Sequence, residues 1–340
     1  MSAPVVAAAA TPVIVADIGG THARFALAHG DVLSDMRVYP AAELASDVDA
    51  VARYLGDVKP AARGAVIAVA GPVIDGVGRL TNVPLVFSAR DIERVLSLDR
   101  VLVINDFSAV SAAVPFLAPG KQRHIGSAPA RDATKAVLGP GTGLGMGAVL
   151  ALGAIWRVLP SEGGHGDLAA ADPLEAELVQ AIRARLAGAP VTWEAVLSGP
   201  GLVNLYRAMC DVWACAPQHE TAQAVSAAGV AADDPVCHQT LEVFCRLLGG
   251  AAASVALTFC AEGGVYLAGG IVPQLVDFLA TSQFRRRFDD RAGMSEYTRE
   301  IATIAILDPA VGLAGAARAF GGEWTAGGLQ LPRDSTRVVR

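Results

Sequence analysis

Two segments of the chain contain strand-forming residues on both sides of a glycine turn. In the first, a run of β-favouring residues, Val13–Ile18, precedes Gly19, Gly20 and Thr21, and a second strand-like run follows at 23–28. Glycine accepts the backbone conformations of tight turns, and the β-branched and apolar residues on either side favour strands. The segment therefore predicts a β-hairpin rather than a strand that enters a helix.

The second segment has the same order, with a short strand at 136–138, a glycine run at 139–145 and a strand at 148–152. The glycine run has no lysine, which excludes a P-loop. Its spacing matches a relaxed dinucleotide fingerprint, but that motif opens a helix, whereas this run opens a strand. A second glycine turn is suited to binding a triphosphate together with the first turn, one from each side. The alternative is that the run is a glycine-rich connection without a binding role.

Helical patterns follow each of these segments. The order of elements indicates two α/β blocks that each open with strand, glycine turn and strand, although no fixed-period sequence repeat is visible. With 340 residues, the chain is long enough for two domains of about 150 residues each. The main helices are predicted at 42–55, 88–96, 173–186, 201–213, 235–259 and 310–320.

Composition and charge limit the classes of partner. Hydrophobic residues make up 53% of the chain, but much of this is alanine, and no stretch reaches the roughly 18–20 uninterrupted apolar residues of a spanning helix. No Lys or Arg precedes Arg24, so a signal peptide is not expected. The net charge of −6 argues against nucleic acid as a partner. We expect a cytoplasmic protein that binds neither nucleic acid nor membranes.

The cysteines are odd in number, and none forms a CxxC pair. They are Cys210, Cys215, Cys237, Cys245 and Cys260. This pattern predicts reduced, mostly buried thiols, and neither a disulfide framework nor a zinc site.

The first glycine turn carries groups that suit phosphate binding. Gly19 and Gly20 let backbone N–H groups approach an anion without interference from a Cβ atom, and Thr21 adds a hydroxyl donor. Asp17, at the end of the strand, could hold water on a magnesium ion that bridges phosphates. An ordinary tight turn is the alternative.

Asn105 and Asp106 follow a buried strand at 101–104. A carboxylate at the carboxyl end of a strand is well placed for a general base, which takes the proton from a hydroxyl group during phosphoryl transfer. The alternative for Asp106 is the N-cap of a helix at 107–114, and both roles are compatible.

Glu162 and His165 lie on a glycine-rich loop at 161–167. We expect the glycines to leave both side chains free to point at one ligand, and their hydrogen bonds suit the hydroxyl groups of a neutral sugar. A metal site is a rival, but Glu-x-x-His on such a loop lacks the helical face that fixes metal ligands. An inert surface loop is the remaining alternative.

Taken together, these segments resemble the bacterial glucokinase family within the hexokinase–actin–Hsp70 superfamily. The resemblance runs from Val13 to about Ala317. Its motifs, in order, lie at 17–21, 70–72, 81–82, 105–107, 139–145, 162–165, 197–206 and 267–273.

The resemblance implies an α/β, two-domain hexokinase/actin-like (ribonuclease H-like) fold with a cleft between lobes that close on the sugar. We expect a small domain at 1–115, to which a helix at about 308–321 returns, a large domain at 116–307 and a flexible tail at 322–340. The implied activity is that of a glucokinase, which uses ATP and Mg²⁺ to convert glucose to glucose 6-phosphate. Related enzymes suggest a homodimer.

The resemblance also implies a role for each site residue. Asp106 is the implied base that acts on the sugar 6-hydroxyl. The implied sugar-binding residues are Asn105, Glu162, His165, Glu194, Asn82 and Gly71. The implied phosphate contacts are Gly19, Gly20 and Thr21 from one side and Gly141, Thr142 and Gly143 from the other, with Gly269 and Gly270 near the adenosine.

Two features separate this chain from its relatives. Related sequences usually carry tryptophan where this chain has Leu85, on a loop that lies near the sugar in the family, so stringency for glucose stays open. The chain lacks the cysteine-rich zinc motif of the neighbouring ROK kinases, so we expect no metal beyond the Mg²⁺ of ATP, held through water to Asp17. The alternatives are a sister hexose kinase with another sugar or phosphoryl donor, and a sugar sensor without turnover.

Overall fold

The structure is a computed structural model that describes residues 11–80, 84–325 and 328–333. Within these ranges the β-strands are β1 (Val13–Ile18), β2 (His22–His29), β3 (Val32–Pro40), β4 (Gly64–Val69), β5 (Val73–Ile74), β6 (Val77–Arg79), β7 (Val86–Ser88), β8 (Arg100–Asn105), β9 (Gln122–Ile125), β10 (Lys135–Pro140), β11 (Leu144–Leu152), β12 (Ile155–Ser161), β13 (Val265–Leu267), β14 (Thr303–Ile306), β15 (Glu323–Thr325) and β16 (Gly328–Pro332). The α-helices are α1 (Asp47–Val58), α2 (Ala89–Leu96), α3 (Asp106–Ala113), α4 (Pro173–Arg185), α5 (Gly199–Val212), α6 (Ala222–Ala231), α7 (Pro235–Phe259), α8 (Val272–Thr281), α9 (Phe284–Asp289), α10 (Ser295–Arg299) and α11 (Val311–Gly321).

The chain divides into two compact units. Unit 1 is drawn from residues 1–113, 154–156 and 310–340, and unit 2 from 114–153 and 157–309. Helix α11 belongs to unit 1 although it follows unit 2 in the sequence, because it packs against α3 and β1.

The sheet of unit 1 has the strand order β3-β2-β1-β4-β8. Strand β1 pairs antiparallel with β2 and parallel with β4, and β4 pairs parallel with β8. Every residue of β4 is buried, as expected for a central parallel strand covered on both faces. Because β1, β4 and β8 run in the same direction, their carboxyl ends meet at one edge of the sheet. The segments that begin at Gly19, Ala70 and Asp106 therefore start from that edge.

Successive residues of β1 point to opposite faces of this sheet. Ile18 belongs to the core that includes Tyr54 of α1 and Ile92 of α2. Asp17 instead lies beside Gly312 of α11. One face of the sheet is thus an ordinary apolar core, whereas the other brings a carboxylate to the start of a helix.

In unit 2, six strands lie in the order β12-β11-β10-β13-β14-β9. The hairpin of β10 and β11 pairs Gly139 with Gly145, while β10, β13 and β14 run parallel. Among the described helices, α7 alone is long and apolar enough to cross a membrane, and 78% of its most apolar window is buried inside the protein. Its apolar surface is used in packing.

The end of the described chain differs from the flexible tail that we expected at 322–340. Strands β15 and β16 pair antiparallel, and Leu329 and Leu331 are only 1% and 3% exposed. The Trp324 indole donates to the Ala319 carbonyl at 3.1 Å. The alternation of Leu329 and Leu331 is the period-two pattern of a strand with one buried face, and it accounts for the difference.

Candidate active site

The first glycine turn connects β1 to β2 as the predicted hairpin. The Gly19 N–H donates to the His22 carbonyl at 2.9 Å. A Cβ atom added at Gly19 would meet the same carbonyl oxygen at 3.6 Å, which is ordinary van der Waals contact. Packing within unit 1 therefore does not require glycine at this position.

Asp17 is the residue before the end of β1, next to this turn. Its cross-strand partner on β2 is Arg24, whose Nη1 lies 3.8 Å from Asp17 Oδ2. Burial raises the pKa of Asp17 above its ordinary value, and the Arg24 charge opposes this effect. A Cβ at Gly312 would lie 3.0 Å from Asp17 Oδ2, so α11 begins next to the carboxylate.

Neither Arg24 nor Gly312 was predicted from the sequence as part of this site. The hairpin register that opposes Asp17 to Arg24 could have identified the arginine, since directly opposed residues on paired strands lie close together. No local pattern indicates Gly312, because its contact depends on α11 returning to unit 1.

Asn105 and Asp106 lie where β8 runs directly into α3. The Asn105 side chain accepts from Ser108 N at 3.0 Å and donates to the Gly71 carbonyl at 3.2 Å. Asp106 is the first residue of α3 and accepts from Phe107 N at 2.9 Å. Asn105 therefore caps the helix, which is the role that we considered for Asp106, and the carboxylate stands at the carboxyl edge of the sheet.

Gly71 holds the carbonyl that orients Asn105. Its φ is 157°, and a Cβ there would collide with the Arg79 carbonyl oxygen, so only glycine fits. Leu85, at the position of the tryptophan in related sequences, is 8% exposed and belongs to the core of unit 1. The predicted sugar ligand Asn82 lies outside the described residues.

The second glycine turn connects β10 to β11. The Gly141 N–H donates to the Gly143 carbonyl at 2.8 Å, and Gly199 N donates to the Gly141 carbonyl at 2.8 Å. Gly199 is the first residue of α5, which Ser198 caps. The N-terminus of a helix carries a partial positive charge that favours anions, and here it lies beside the turn.

Glu194 connects this turn to the predicted sugar-binding loop. Its Oε2 accepts from Leu144 N at 2.8 Å, and its Oε1 lies 3.9 Å from His165 Nδ1. A Cβ at Gly143 would collide with Glu194 Oε2. From the sequence, Glu194 was predicted to bind the sugar, but its contact with the turn was not predicted, because this contact joins residues far apart in the sequence.

The loop that carries Glu162 and His165 is closely packed, contrary to our interpretation of its glycines as a source of freedom. A Cβ at Gly164 would collide with the Leu144 carbonyl oxygen, and Glu194 N donates to the Gly164 carbonyl at 2.9 Å. The glycines therefore permit close approach to β11, and this approach holds Glu162, His165 and Glu194 together.

The three ionisable groups interact electrostatically. Burial raises the pKa of Glu162, the nearby His165 lowers it, and the Glu194 carboxylate raises it, with a net upward shift. Two carboxylates and an imidazole thus lie close enough to interact, with Glu162 and His165 accessible to solvent. They can accept and donate hydrogen bonds to several hydroxyl groups of one ligand.

Gly269 and Gly270 follow β13 and lie next to the strand that leads into the second turn. The Ala268 N–H donates to the Leu138 carbonyl at 2.8 Å, and Ile271 N donates to the Pro140 carbonyl at 3.4 Å. The Gln274 side chain donates to the Gly270 carbonyl at 2.8 Å. Unit 2 therefore brings these glycines to the start of the Gly141 turn.

A model of the glucokinase family matches residues 14–322 of the chain. The chain belongs to the glucokinase family. The glucokinase of Nitrobacter hamburgensis is 38% identical over 309 residues, which are 89% of this chain and 95% of the relative. The glucokinase of Aromatoleum aromaticum is 40% identical over 316 residues, or 91% of this chain and 94% of the relative. The crystal structure of a glucokinase from an Antarctic psychrotroph has a TM-score of 0.77 at 36% identity and covers 90% of this chain and 97% of that one.

These comparisons confirm the family, the fold class and the enzyme activity that the motifs implied. The protein has the two-domain hexokinase/actin-like fold and is a glucokinase, which phosphorylates glucose with ATP. The sister hexose kinase and the sugar sensor are not favoured.

Each unit of the enzyme assembles its own set of predicted residues. At the carboxyl edge of its sheet, unit 1 holds Asp17, Gly19, Gly20, Thr21, Gly71, Asn105 and Asp106. Around its hairpin of β10 and β11, unit 2 holds Gly141, Thr142, Gly143, Glu162, His165, Glu194, Gly269 and Gly270.

Proposed function

We propose that the enzyme transfers the γ-phosphoryl group of Mg²⁺–ATP to the 6-hydroxyl of glucose, with Asp106 as the general base. The observation that carries this proposal is the junction of β8 and α3. Asn105 is fixed there by Gly71 and Ser108, so the adjacent Asp106 carboxylate has a defined place. A base acts efficiently only when its carboxylate is held within hydrogen-bond reach of the proton that it accepts.

Unit 2 supplies most of the sugar ligands in this proposal. Glu162 and Glu194 accept hydrogen bonds from sugar hydroxyls, and His165 donates or accepts according to its tautomer. Asn105 of unit 1 adds an amide, Gly71 orients that amide, and Asn82 contributes a second amide. Such a set recognises a neutral, polyhydroxylated ligand by the positions of its hydroxyl groups.

The two glycine turns bind the phosphates of ATP. Backbone N–H groups at Gly19 and Gly20 and the Thr21 hydroxyl act from unit 1. Gly141, Thr142 and Gly143 act from unit 2, where the N-terminus of α5 adds its partial positive charge. Gly269 and Gly270 pack near the adenosine. In phosphoryl transfer the protein contributes mainly position and charge stabilisation, and backbone donors supply both.

Mg²⁺ enters this scheme as part of the substrate. It prefers oxygen ligands and keeps several waters when bound to nucleotide phosphates. The Asp17 carboxylate is suited to hold one of these waters, because it stands beside the first turn at the end of β1.

We further propose that the enzyme works as a homodimer in the cytoplasm and acts on small molecules rather than on nucleic acid or membranes. The net charge of −6 disfavours binding to phosphate backbones. Among the described helices, the one long and apolar enough to span a membrane, α7, is mostly buried inside the protein.

A coupled assay of sugar 6-phosphate formation tests the proposed reaction. Mg²⁺–ATP is compared with polyphosphate as donor, and glucose, mannose, fructose, N-acetylglucosamine and allose are compared as acceptors. We expect high turnover with ATP and glucose alone, which would show that buried Leu85 replaces the tryptophan without loss of stringency. Preference for another sugar or donor would indicate a hexose kinase of different specificity. Sugar binding without turnover would indicate a sugar sensor.

A further inference from the structure

Three potential metal ligands meet in unit 2 at the start of α7. They are His219, Asp234 and Cys237, and one donor atom of each lies within 4.8 Å of the other two. His219 Nε2 is 3.4 Å from Asp234 Oδ2. Ligand atoms around a tetrahedral Zn²⁺ ion are about 3–4 Å apart, given bond lengths of about 2.0–2.3 Å. Small side-chain movements are therefore enough to close this set around one ion.

Asp234 is held in place by α7. Its Oδ1 caps the helix, accepting from Val236 N at 2.8 Å and Cys237 N at 3.1 Å. Burial pushes the pKa of Asp234 upward, but the two backbone hydrogen bonds, a hydrogen bond with the Cys237 side chain and the nearby His219 together lower it, and the net shift is downward. The group is therefore an anionic carboxylate, and its second oxygen faces His219.

His219 is positioned by α5. The centroid of its ring lies 5.8 Å from that of Tyr206, and the Tyr206 hydroxyl accepts from the backbone N–H of Gln218 at 2.9 Å. This bond fixes the residue before the histidine. The imidazole is thus held between α5 and the beginning of α7, with its Nε2 toward the carboxylate.

Cys237 completes the set from the first turn of α7, where the helix dipole favours a thiolate. Burial and the Asp234 carboxylate raise the pKa of this thiol to about 12, and a divalent cation between the two groups offsets the same negative charge. Cys237 is fully buried, but the side chains of His219 and Asp234 are 27% and 22% exposed. An ion can therefore reach the cluster from solvent.

We propose that His219, Asp234 and Cys237 form a binding site for Zn²⁺, with water at the fourth position. Imidazole nitrogen, thiolate sulfur and carboxylate oxygen are all zinc ligands, and the mixture suits a borderline-soft cation. Mg²⁺ prefers oxygen ligands alone and is not selected. The bound ion links the segment after α5 to the start of α7 and stabilises unit 2.

This inference departs from the cysteine pattern, which predicted no zinc site. That prediction considered only closely spaced cysteines, whereas here a single thiol joins a histidine eighteen residues earlier in the chain. The site is independent of the proposed reaction, because none of its three ligands belongs to the sugar- or phosphate-binding residues.

The test uses the full-length enzyme after treatment with a chelator. Zn²⁺ alone is titrated by calorimetry, and Co²⁺ serves as a spectroscopic probe of thiolate ligation. We expect one Zn²⁺ per chain, a thiolate-to-cobalt charge-transfer band and a higher Tm with Zn²⁺. Absence of saturable Zn²⁺ binding, or of the charge-transfer band, overturns the proposal.

Variants assign the ligands. Changes outside the first coordination shell alone weaken metal sites about 10–100-fold, so His219→Ala is expected to weaken Zn²⁺ binding at least about 100-fold. Cys237→Ser is expected to abolish the cobalt band. His219 is partly exposed, so His219→Ala keeps the test decisive if the buried Cys237→Ser variant fails to fold.

The matched controls are His124→Ala and Cys260→Ser. Both residues are exposed and lie elsewhere in unit 2, so each variant should bind Zn²⁺ as the wild type does. Wild-type affinity in His219→Ala, or an equal loss in the controls, contradicts the assignment.

Discussion

The two glycine turns look alike in sequence and in backbone structure but are surrounded differently. Each closes a hairpin with a short hydrogen bond from its first glycine, at 2.9 Å for Gly19 and 2.8 Å for Gly141. An added Cβ at Gly19 would meet only a carbonyl oxygen at 3.6 Å. An added Cβ at Gly143 would collide with the Glu194 carboxylate.

The same residue type therefore serves two physical purposes. The absence of a Cβ at Gly143 leaves space for the Glu194 side chain. This side chain also approaches His165. Gly19 makes no such room, and in our proposal the absence of a Cβ there lets a phosphate approach the turn. The second turn is accordingly coupled to the proposed sugar-binding residues of unit 2, while the first is associated with Asp17 and α11.

Gly143→Ala is expected to produce the largest effect on this comparison. The new Cβ displaces the Glu194 carboxylate, so Leu144 N loses its acceptor and His165 loses its neighbour. An unsatisfied buried N–H costs about 1–3 kcal/mol of unfolding free energy, and we expect kcat/KM for glucose to fall about 10–100-fold. Urea denaturation and steady-state kinetics measure the two effects.

Gly141→Ala is the matched control for that variant. No atom lies within 4 Å of a Cβ at Gly141, so stability should stay close to that of the wild type. If Gly143→Ala and Gly141→Ala lose the same stability, the loss in Gly143→Ala does not come from displacement of the Glu194 side chain.

Glu194→Gln sharpens the comparison by keeping an oxygen acceptor for Leu144 N while removing the charge. We expect KM for glucose to rise about tenfold, which corresponds to about 1.4 kcal/mol, with KM for ATP unchanged. Glu194 raises the pKa of Glu162, so its neutralisation lowers that pKa. The acidic limb of kcat/KM for glucose should therefore move to lower pH, and an unchanged or upward-shifted limb would count against the electrostatic coupling.

Gly19→Ala tests the corresponding glycine of the first turn. Packing tolerates the Cβ, so the free energy of unfolding should change by less than about 0.5 kcal/mol. The methyl group projects where a phosphate approaches in our proposal, and KM for ATP should rise about fivefold, or about 1 kcal/mol. An unchanged KM for ATP would remove the main reason for assigning this turn to the nucleotide.

Asp17→Asn should change stability slightly, and in the stabilising direction. Because burial raises the pKa of Asp17 in the folded state, the stability associated with this group is fully present below its unfolded pKa. It is lost as the pH rises through the folded pKa. At neutral pH the amide removes this penalty, and Tm without substrates should rise by about 1–3 °C.

The same Asp17→Asn variant should lose turnover, because it lacks the proposed ligand for magnesium-bound water. Thermal scans at neutral pH and at about pH 4 check the direction of the change in Tm. The gain in Tm of the variant over the wild type should be smaller at the acidic pH. If Asp17→Asn is less stable than the wild type at neutral pH, burial of the charged Asp17 carboxylate does not destabilise the folded protein, and the argument is contradicted.

The sequence was sufficient for features that depend on neighbouring residues. The hairpins at Gly19 and Gly141 follow from alternation of strand-forming residues and glycine. The base candidate Asp106 follows from its position at a strand end. In these cases the local sequence pattern and the tertiary structure favour the same backbone conformation.

Features that depend on distant contacts were missed. Glu194 reaches Leu144, and α11 brings Gly312 to Asp17, only after the chain has folded. The glycines around His165 were misinterpreted as flexible because composition does not distinguish conformational freedom from close packing. The cluster of His219, Asp234 and Cys237 was missed because its ligands come from separate segments.

The role of Asp106 is tested most directly by measuring glucose binding and turnover in Asp106→Asn. The amide keeps the size of the side chain and an acceptor for Phe107 N but cannot take the proton from the sugar hydroxyl. We predict glucose affinity within about tenfold of the wild type and a decrease in kcat of at least roughly 10²–10⁴, with Asp99→Asn, at an exposed aspartate of unit 1, as the unaffected control. Near-normal turnover in Asp106→Asn would contradict the assignment of the base.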